Sequence, residues 1–156
     1  MKVTKSKLRN LICEQLARSQ VKLYHTSRTR ISHLRSSPLW FATELEHATE
    51  GWAVSDRGQE SFVYEATFTG VMAHENDPAI ESLFEMAGVD PDEYIDELTS
   101  NPESDTVMND PATQILVQNG YDGFQHTDYD PRDWDKNLPS VVVFNPAESI
   151  SSFTQV

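Results

Sequence analysis

Residue types suited to chemistry first occur together in Tyr24-His25-Thr26-Ser27, at the end of a short apolar stretch. An imidazole at this position can hydrogen-bond a ribose hydroxyl, while the backbone beside it can reach a carboxamide. Arg28 and Arg30 follow at once, and guanidinium groups bind phosphate oxygens through paired hydrogen bonds. These residues indicate a segment able to hold a nucleotide that carries ribose, phosphate and an amide.

Aromatic rings form the second group of candidates. Trp40-Phe41-Ala42-Thr43 leads into a predicted helix, and Trp52 lies close to the end of that helix. A planar nicotinamide ring can stack on an aromatic platform of this kind. Trp40 and Phe41 also suit a core, and Trp52 suits either packing or stacking.

Acidic and polar groups beyond Tyr121-Asp122-Gly123-Phe124 form the third group. Breaking the bond between nicotinamide and ribose develops positive charge on the sugar, which a nearby carboxylate stabilises. This stretch ends in Asp128, which supplies a carboxylate, and Gln125 is a candidate for a ribose contact. The sequence does not rank Asp128 above the three aspartates that follow it, which are Asp130, Asp133 and Asp135.

Several other kinds of site are excluded by their missing signatures. The chain has neither a glycine-rich phosphate loop nor a G-x-S-x-G nucleophile motif. A calcium loop starting at Asp128 would need Gly and Glu where Asp133 and Pro139 stand. The five histidines lack paired metal spacing, and Cys13 is the sole cysteine, so we predict neither a metal site nor an internal disulfide.

The charge of the chain is strongly divided. Residues 1–60 hold ten Lys and Arg against six Asp and Glu (+4), whereas residues 61–156 hold two against nineteen (−17). An acidic surface repels a polyanion, so we expect no direct binding to nucleic acid and expect a partner with a basic face. No apolar run is long enough to span a bilayer, which predicts a cytoplasmic protein without a membrane partner.

Length and hydrophobic periodicity predict one α+β domain over residues 1–156. The predicted helices cover residues 2–19 (within an N-terminal helix region, 1–20), 44–53, two within 78–99 (part of an acidic helical insert, 77–110), and 111–119. The predicted strands lie near residues 21–24, 38–42, 61–71, 121–124, 141–144 and 150–153. Thr43 should cap the second helix with Glu46 as its capping-box partner, and Asp90 should cap the helix that begins at Pro91. Residues 101–110 and 127–139 are predicted to be polar loops.

Four motifs in this order resemble the ADP-ribosyltransferase superfamily, particularly its histidine-containing branch. They are Tyr24-His25-Thr26-Ser27, Trp40-Phe41-Ala42-Thr43, Gly120-Tyr121-Asp122-Gly123 and Val143-Phe144-Asn145-Pro146. The resemblance extends to phage members of the family that act against a type I-F CRISPR surveillance complex. It implies a split β-sandwich of two small, mainly antiparallel sheets with flanking helices.

The resemblance also implies an activity, namely transfer of ADP-ribose from NAD⁺ to a protein acceptor, such as a nucleic-acid-binding complex with a basic face. On this reading Asp128 and His25 are catalytic. The NAD⁺-binding residues would be Tyr24, His25, Thr26, Ser27, Arg28, Phe41, Ala42, Thr43, Trp52 and Gln125.

Two departures from the family pattern keep alternatives open. The branch often places a glutamate just before the final strand, where this chain has Ser140 after Pro139, so either Asp128 replaces that glutamate or catalysis is weakened. The N-terminal helix is an addition to the pattern. The alternatives are an NAD⁺ glycohydrolase toxin and a non-enzymatic acidic protein that mimics nucleic acid.

Overall fold

The computed structural model describes residues 4–9, 20–50, 61–130 and 133–156. Residues 5–9 are helical, and the remainder of the helix predicted over residues 2–19 lies outside the described residues. Trp52 and the end of the helix predicted to reach residue 53 lie outside them as well.

Seven strands form one hydrogen-bonded sheet in the described part of the chain. The strands are β1 (Val21–Ser27), β2 (Leu39–Ala42), β3 (Phe62–Phe68), β4 (Met72–His74), β5 (Gly123–Asp130), β6 (Asp133–Val143) and β7 (Ile150–Gln155). Their order across the sheet is β4-β5-β6-β2-β1-β3-β7, and only β4 and β5 are parallel neighbours. The predicted α+β class with mainly antiparallel strands is confirmed.

Side-chain caps mark the start of three of the described helices. The helices are α1 (Leu45–Glu50), α2 (Pro78–Ala87), α3 (Pro91–Ser100), α4 (Thr106–Asn109), α5 (Pro111–Gln118) and α6 (Pro146–Ser149). An Asp-Pro pair stands at the start of α2, α3 and α5. The proline is the first residue of each helix, and the aspartate carboxylate accepts the N–H of the second residue at 2.8–3.0 Å. The predicted cap at Asp90 is confirmed. No described helix has the length and apolar character needed to cross a membrane.

Helices α2 to α5 form the crossover that a parallel β4–β5 pair requires. Residues 77–110, which we predicted as an acidic helical insert, lie within this crossover. Its inner face packs against β5 and β6 around buried aromatic and aliphatic side chains, which include Phe84, Tyr94, Leu98, Leu116, Phe124 and Val142. On β6, Val141 and Val143 point to the opposite face and pack with Leu23, Phe41, Ala66 and Phe68.

Three local predictions were wrong. Residues 127–139 are not a loop but the outer part of a β5–β6 hairpin, with Thr127 paired to Pro139 and Asp128 to Leu138. The region 101–110 contains α4, whose Val107 is fully buried. Helix α1 begins at Leu45, and the Thr43 hydroxyl donates to the Pro139 carbonyl instead of capping it.

Candidate functional site

His25 lies on β1 with its ring almost fully enclosed, at 3 % exposure. Tyr64 of β3 is its partner in register on one side, and the Phe41 ring on β2 lies 5.6 Å away on the other. The ring Nδ1 is 2.7 Å from the Trp40 carbonyl oxygen. A carbonyl can only accept, so Nδ1 carries the proton and Nε2 is the nitrogen left to accept a hydrogen bond from a ligand.

Burial lowers the pKa of His25, and this effect outweighs the Trp40 carbonyl and the Glu103 carboxylate, which both act to raise it. The Glu103 Oε1 lies 3.9 Å from Nδ1. Because the imidazole is neutral at pH 7, His25 and Glu103 do not form an ion pair. The contact places a charged carboxylate beside an uncharged, polar ring. The site therefore holds an acceptor nitrogen and a negative charge close together.

A pocket of about 520 Å³ opens beside His25 and is lined mainly by the segment between β1 and β2, residues 28–38. That segment is fixed at two points, because the Ile31 N–H donates to the Tyr64 hydroxyl at 2.8 Å and the Ala147 N–H donates to the Arg35 carbonyl at 3.3 Å. Tyr64 is held in turn by stacking on Phe153, with ring centroids 4.5 Å apart.

The charged groups of the pocket come from two parts of the chain. Arg30 and Arg35 belong to the β1–β2 segment, and the Arg30 guanidinium lies 5.5 Å from the centre of the Phe62 ring. Glu103 and Asp105 come from the connection between α3 and α4. The pocket can therefore bind anionic groups at the arginines and stabilise positive charge at the carboxylates.

Of the predicted site residues, the structure brings His25 and Ser27 together in this pocket. The Ser27 hydroxyl also accepts the Thr29 N–H at 3.2 Å. Thr26 is buried beneath the strand, where its hydroxyl donates to the Ala48 carbonyl. Arg28 is exposed and is not among the described lining residues.

The other predicted residues lie elsewhere. Phe41 and Ala42 are fully buried in the sheet, and Tyr24 is paired with Ala42 and Glu65. Thr43 bonds to Pro139, as described above. Gln125 lies on β5 and is paired with Val141 on β6 and His74 on β4. Asp128 has its backbone on β5, and its side chain lies outside the described part of the chain, as do those of Asp130, Asp133 and Asp135.

Sequence reasoning missed Glu103, Asp105 and Tyr64. The two acids stand in a polar stretch without a motif, and they reach the pocket only because α3 ends beside the β1–β2 segment. The single signal for Tyr64 was its place on the inward face of a strand with alternating polarity.

Within the described residues, no group of three or more His, Cys, Asp or Glu is arranged to hold a metal ion. Fold and pocket together define an α+β protein with a mixed sheet and a polar, charged pocket beside a neutral histidine. No family model, no curated protein and no solved structure matches this chain.

Proposed function

We propose that this pocket binds NAD⁺ and that the chain is a mono-ADP-ribosyltransferase that modifies a protein. The observation that carries the proposal is the buried, neutral His25, with an acceptor nitrogen available and the carboxylate of Glu103 3.9 Å from its ring. The sequence motif at His25 independently resembles the NAD⁺-binding strand of this family.

The size and charge of the pocket suit a dinucleotide. Its volume of about 520 Å³ lies in the range of pockets that enclose small-molecule ligands. Arg30 and Arg35 would hold the pyrophosphate, and His25 Nε2 and the Ser27 hydroxyl would bind ribose hydroxyls. The aromatic platform for nicotinamide is assigned to Trp52 on the resemblance alone.

The split β-sandwich of the family belongs to the same proposal. A single sheet ordered β4-β5-β6-β2-β1-β3-β7 becomes two facing halves if it curls sharply near β2. Strand β2 has only four residues, and a short strand at that position makes such a bend easier.

The reaction breaks the bond between ribose C1 and the nicotinamide nitrogen. The nitrogen keeps the electron pair and nicotinamide leaves neutral, so positive charge develops on the ribosyl group. A nucleophile of the acceptor protein then bonds to C1 and gives up its proton to a carboxylate or to water. The position of Glu103 beside His25 supports this residue as the carboxylate that stabilises the cation, whereas the resemblance implies Asp128.

The acceptor is proposed to be a protein with a basic face, because the acidic second part of the chain repels nucleic acid. A phage effector directed against a CRISPR surveillance complex, acting in the host cytoplasm, is the setting that the resemblance suggests. Transfer to water instead of protein would make the chain a glycohydrolase with the same pocket.

The experiment has a binding step and a transfer step. Calorimetry with NAD⁺ should show binding to the wild type and about tenfold weaker binding to His25→Ala, as expected for the loss of about one hydrogen bond. Incubation with ³²P-NAD⁺ and host lysate should label a protein band.

Glu103→Gln and Asp128→Ala separate the two candidate carboxylates in the transfer step. The variant that removes the working carboxylate should reduce labelling by about a hundredfold or more with its thermal unfolding unchanged. Glu85→Gln, an exposed change on α2 away from the pocket, is the control and should label fully. No NAD⁺ binding by the wild type would overturn the proposal, and free ADP-ribose without a labelled protein would replace transferase by glycohydrolase.

A further inference from the structure

A second cavity, of about 220 Å³, lies where α2 and α3 meet the start of β5. Phe84 and Phe124 form its inner wall, with ring centroids 6.0 Å apart and planes inclined at 43°. Half-buried Ile95 of α3 adds an aliphatic surface. Phe84 is 2 % exposed and Phe124 is fully buried, so the two rings close the floor of the cavity and Ile95 supplies accessible apolar surface beside it.

Carboxylates stand at the edge of this cavity. Glu75 is held in place because its Oε1 accepts the Thr127 N–H at 2.7 Å. Glu81 and Asp92 are exposed on α2 and α3. The chain contains neither Lys nor Arg between residues 61 and 130, so this entire stretch supplies no cationic side chain to neutralise them.

We propose that this cavity binds the side chain of an arginine from a basic segment of a partner protein. Its volume is below the usual range for pockets that enclose whole small molecules, and it suits a single long side chain. An arginine can lay its methylene groups on Ile95 while its guanidinium donates to Glu81 and Asp92. A nucleic acid is disfavoured here by the same carboxylates.

The surroundings of the cavity favour a basic partner over an isolated arginine. Twelve Asp and Glu residues lie between residues 75 and 110, and most of those described are exposed. A cationic segment is therefore drawn to this surface before one side chain enters the cavity. The site is separate from the His25 pocket, and its occupancy does not depend on NAD⁺.

Adjacent residues of α3 allow a matched test. Asp92 lines the cavity, whereas Glu93 does not, and both are exposed acids in the first turn of the helix. Lysine at either position changes the net charge equally and meets the helix dipole equally. The probe is a fluorescent peptide with three arginines separated by Gly-Ser pairs, titrated without NAD⁺ at 50 mM and 200 mM NaCl.

We expect the peptide to bind the wild type and Glu93→Lys with affinities within about twofold of one another, and Asp92→Lys about tenfold more weakly. Ile95→Ala, which removes apolar surface without a change of charge, should also weaken binding severalfold. The same peptide with citrulline in place of arginine should lose binding. Thermal unfolding of each variant shows that it is folded.

Equal losses from Asp92→Lys and Glu93→Lys, together with no effect of Ile95→Ala, would overturn the proposal, since diffuse charge alone would then explain binding. Equal binding of the citrulline peptide, or no binding of the arginine peptide, would overturn it as well. A failure to bind NAD⁺ would not change these outcomes, so the peptide experiment and the NAD⁺ experiment test the two proposals independently.

Discussion

At the scale of single residues, His25 combines burial, a fixed tautomer and a nearby carboxylate. Burial makes the protonated imidazole unfavourable in the folded protein, so its pKa lies below the ordinary value of 6.5. As the pH falls through 6.5 the unfolded chain therefore takes up a proton at this residue before the folded chain does. The wild type loses free energy of unfolding in that range through His25.

The lowered pKa of His25 makes the effect of substituting this residue depend on pH. We expect the difference in free energy of unfolding between wild type and His25→Gln to shrink as the pH is lowered from 8 to 5, because glutamine does not titrate. Urea unfolding at each pH measures it, and the other histidines cancel in the comparison. A difference that grows on acidification would instead show a charged His25 paired with Glu103.

The pKa of Glu97 is shifted in the opposite direction from that of His25. Sharing of a hydrogen bond with Asp110 is the main cause that raises the pKa of this carboxyl, with smaller contributions from burial and from the Asp110 charge. The folded protein is therefore less stable once Glu97 has ionised. We expect Glu97→Gln to raise the free energy of unfolding at pH 7 by a few tenths of a kcal/mol, the usual size for an exposed charge contact.

This gain should disappear below about pH 4, where glutamate is protonated in the folded and unfolded chain alike. Asp96→Asn, next to Glu97 but exposed, is the control and should gain less stability than Glu97→Gln at pH 7, because it removes a similar charge without the hydrogen bond shared with Asp110. Urea denaturation at pH 7 and pH 3.5 gives both comparisons. A gain that persists at pH 3.5 would assign the effect to helix propensity and not to charge.

At the scale of elements, the crossover helices are joined by one buried polar contact. The Tyr94 hydroxyl on α3 lies 2.7 Å from the hydroxyl of Thr113 on α5, and both residues are buried. Tyr94→Phe would leave the Thr113 hydroxyl in the core without this partner. We expect a loss of about 1–3 kcal/mol in the free energy of unfolding, the usual cost of an unsatisfied buried polar group.

The paired change tests the cause. In Tyr94→Phe with Thr113→Val both hydroxyls are absent, so the double variant should be more stable than the sum of the two single changes predicts. Thermal or urea unfolding of the four proteins completes the cycle. Additive losses would mean that the two hydroxyls do not depend on each other.

The elements also show how much of the fold the sequence could predict. Asp90-Pro91 marks the start of α3 as expected, because a cap acts within a few residues. Gly88, in the left-handed region at φ 66°, ends α2 just before it. The β5–β6 hairpin was missed because its outer part is polar. Its backbone ladder starts at Gly123–Val143, passes through the apolar Phe124–Val142 pair and continues outward regardless of side-chain type.

The same distinction applies to the pocket. His25 was found because its own strand and motif mark it, and Glu103 was not, because its place depends on where α3 ends in space. The position of Pro139 inside β6 also depends on residues distant in the sequence, because the length of β2 decides whether β6 needs an N–H there. The β2–β6 pairing ends at Ala42 and Ser140, so the proline stands just beyond β2 on that side.

At the scale of the whole molecule, the net charge of −13 is carried by the second part of the chain. Repulsion among like charges on one surface destabilises the compact state and is screened by salt. We expect the melting temperature to rise between 20 mM and 300 mM NaCl by a few degrees, corresponding to about 1 kcal/mol for a chain of this size.

A variant of lower charge tests whether the repulsion arises on the exposed surface of the crossover helices α2 to α5. Glu85→Lys with Asp96→Lys changes two exposed acids into cations and brings the formal net charge from −13 to −9, and neither residue lines the described cavities. Its melting temperature should be higher than that of the wild type at low salt and should rise less as salt is added. Calorimetry at several NaCl concentrations measures both slopes. Equal slopes would place the repulsion elsewhere, and a fall of the wild-type melting temperature with salt would show that attractive ion pairs dominate the surface.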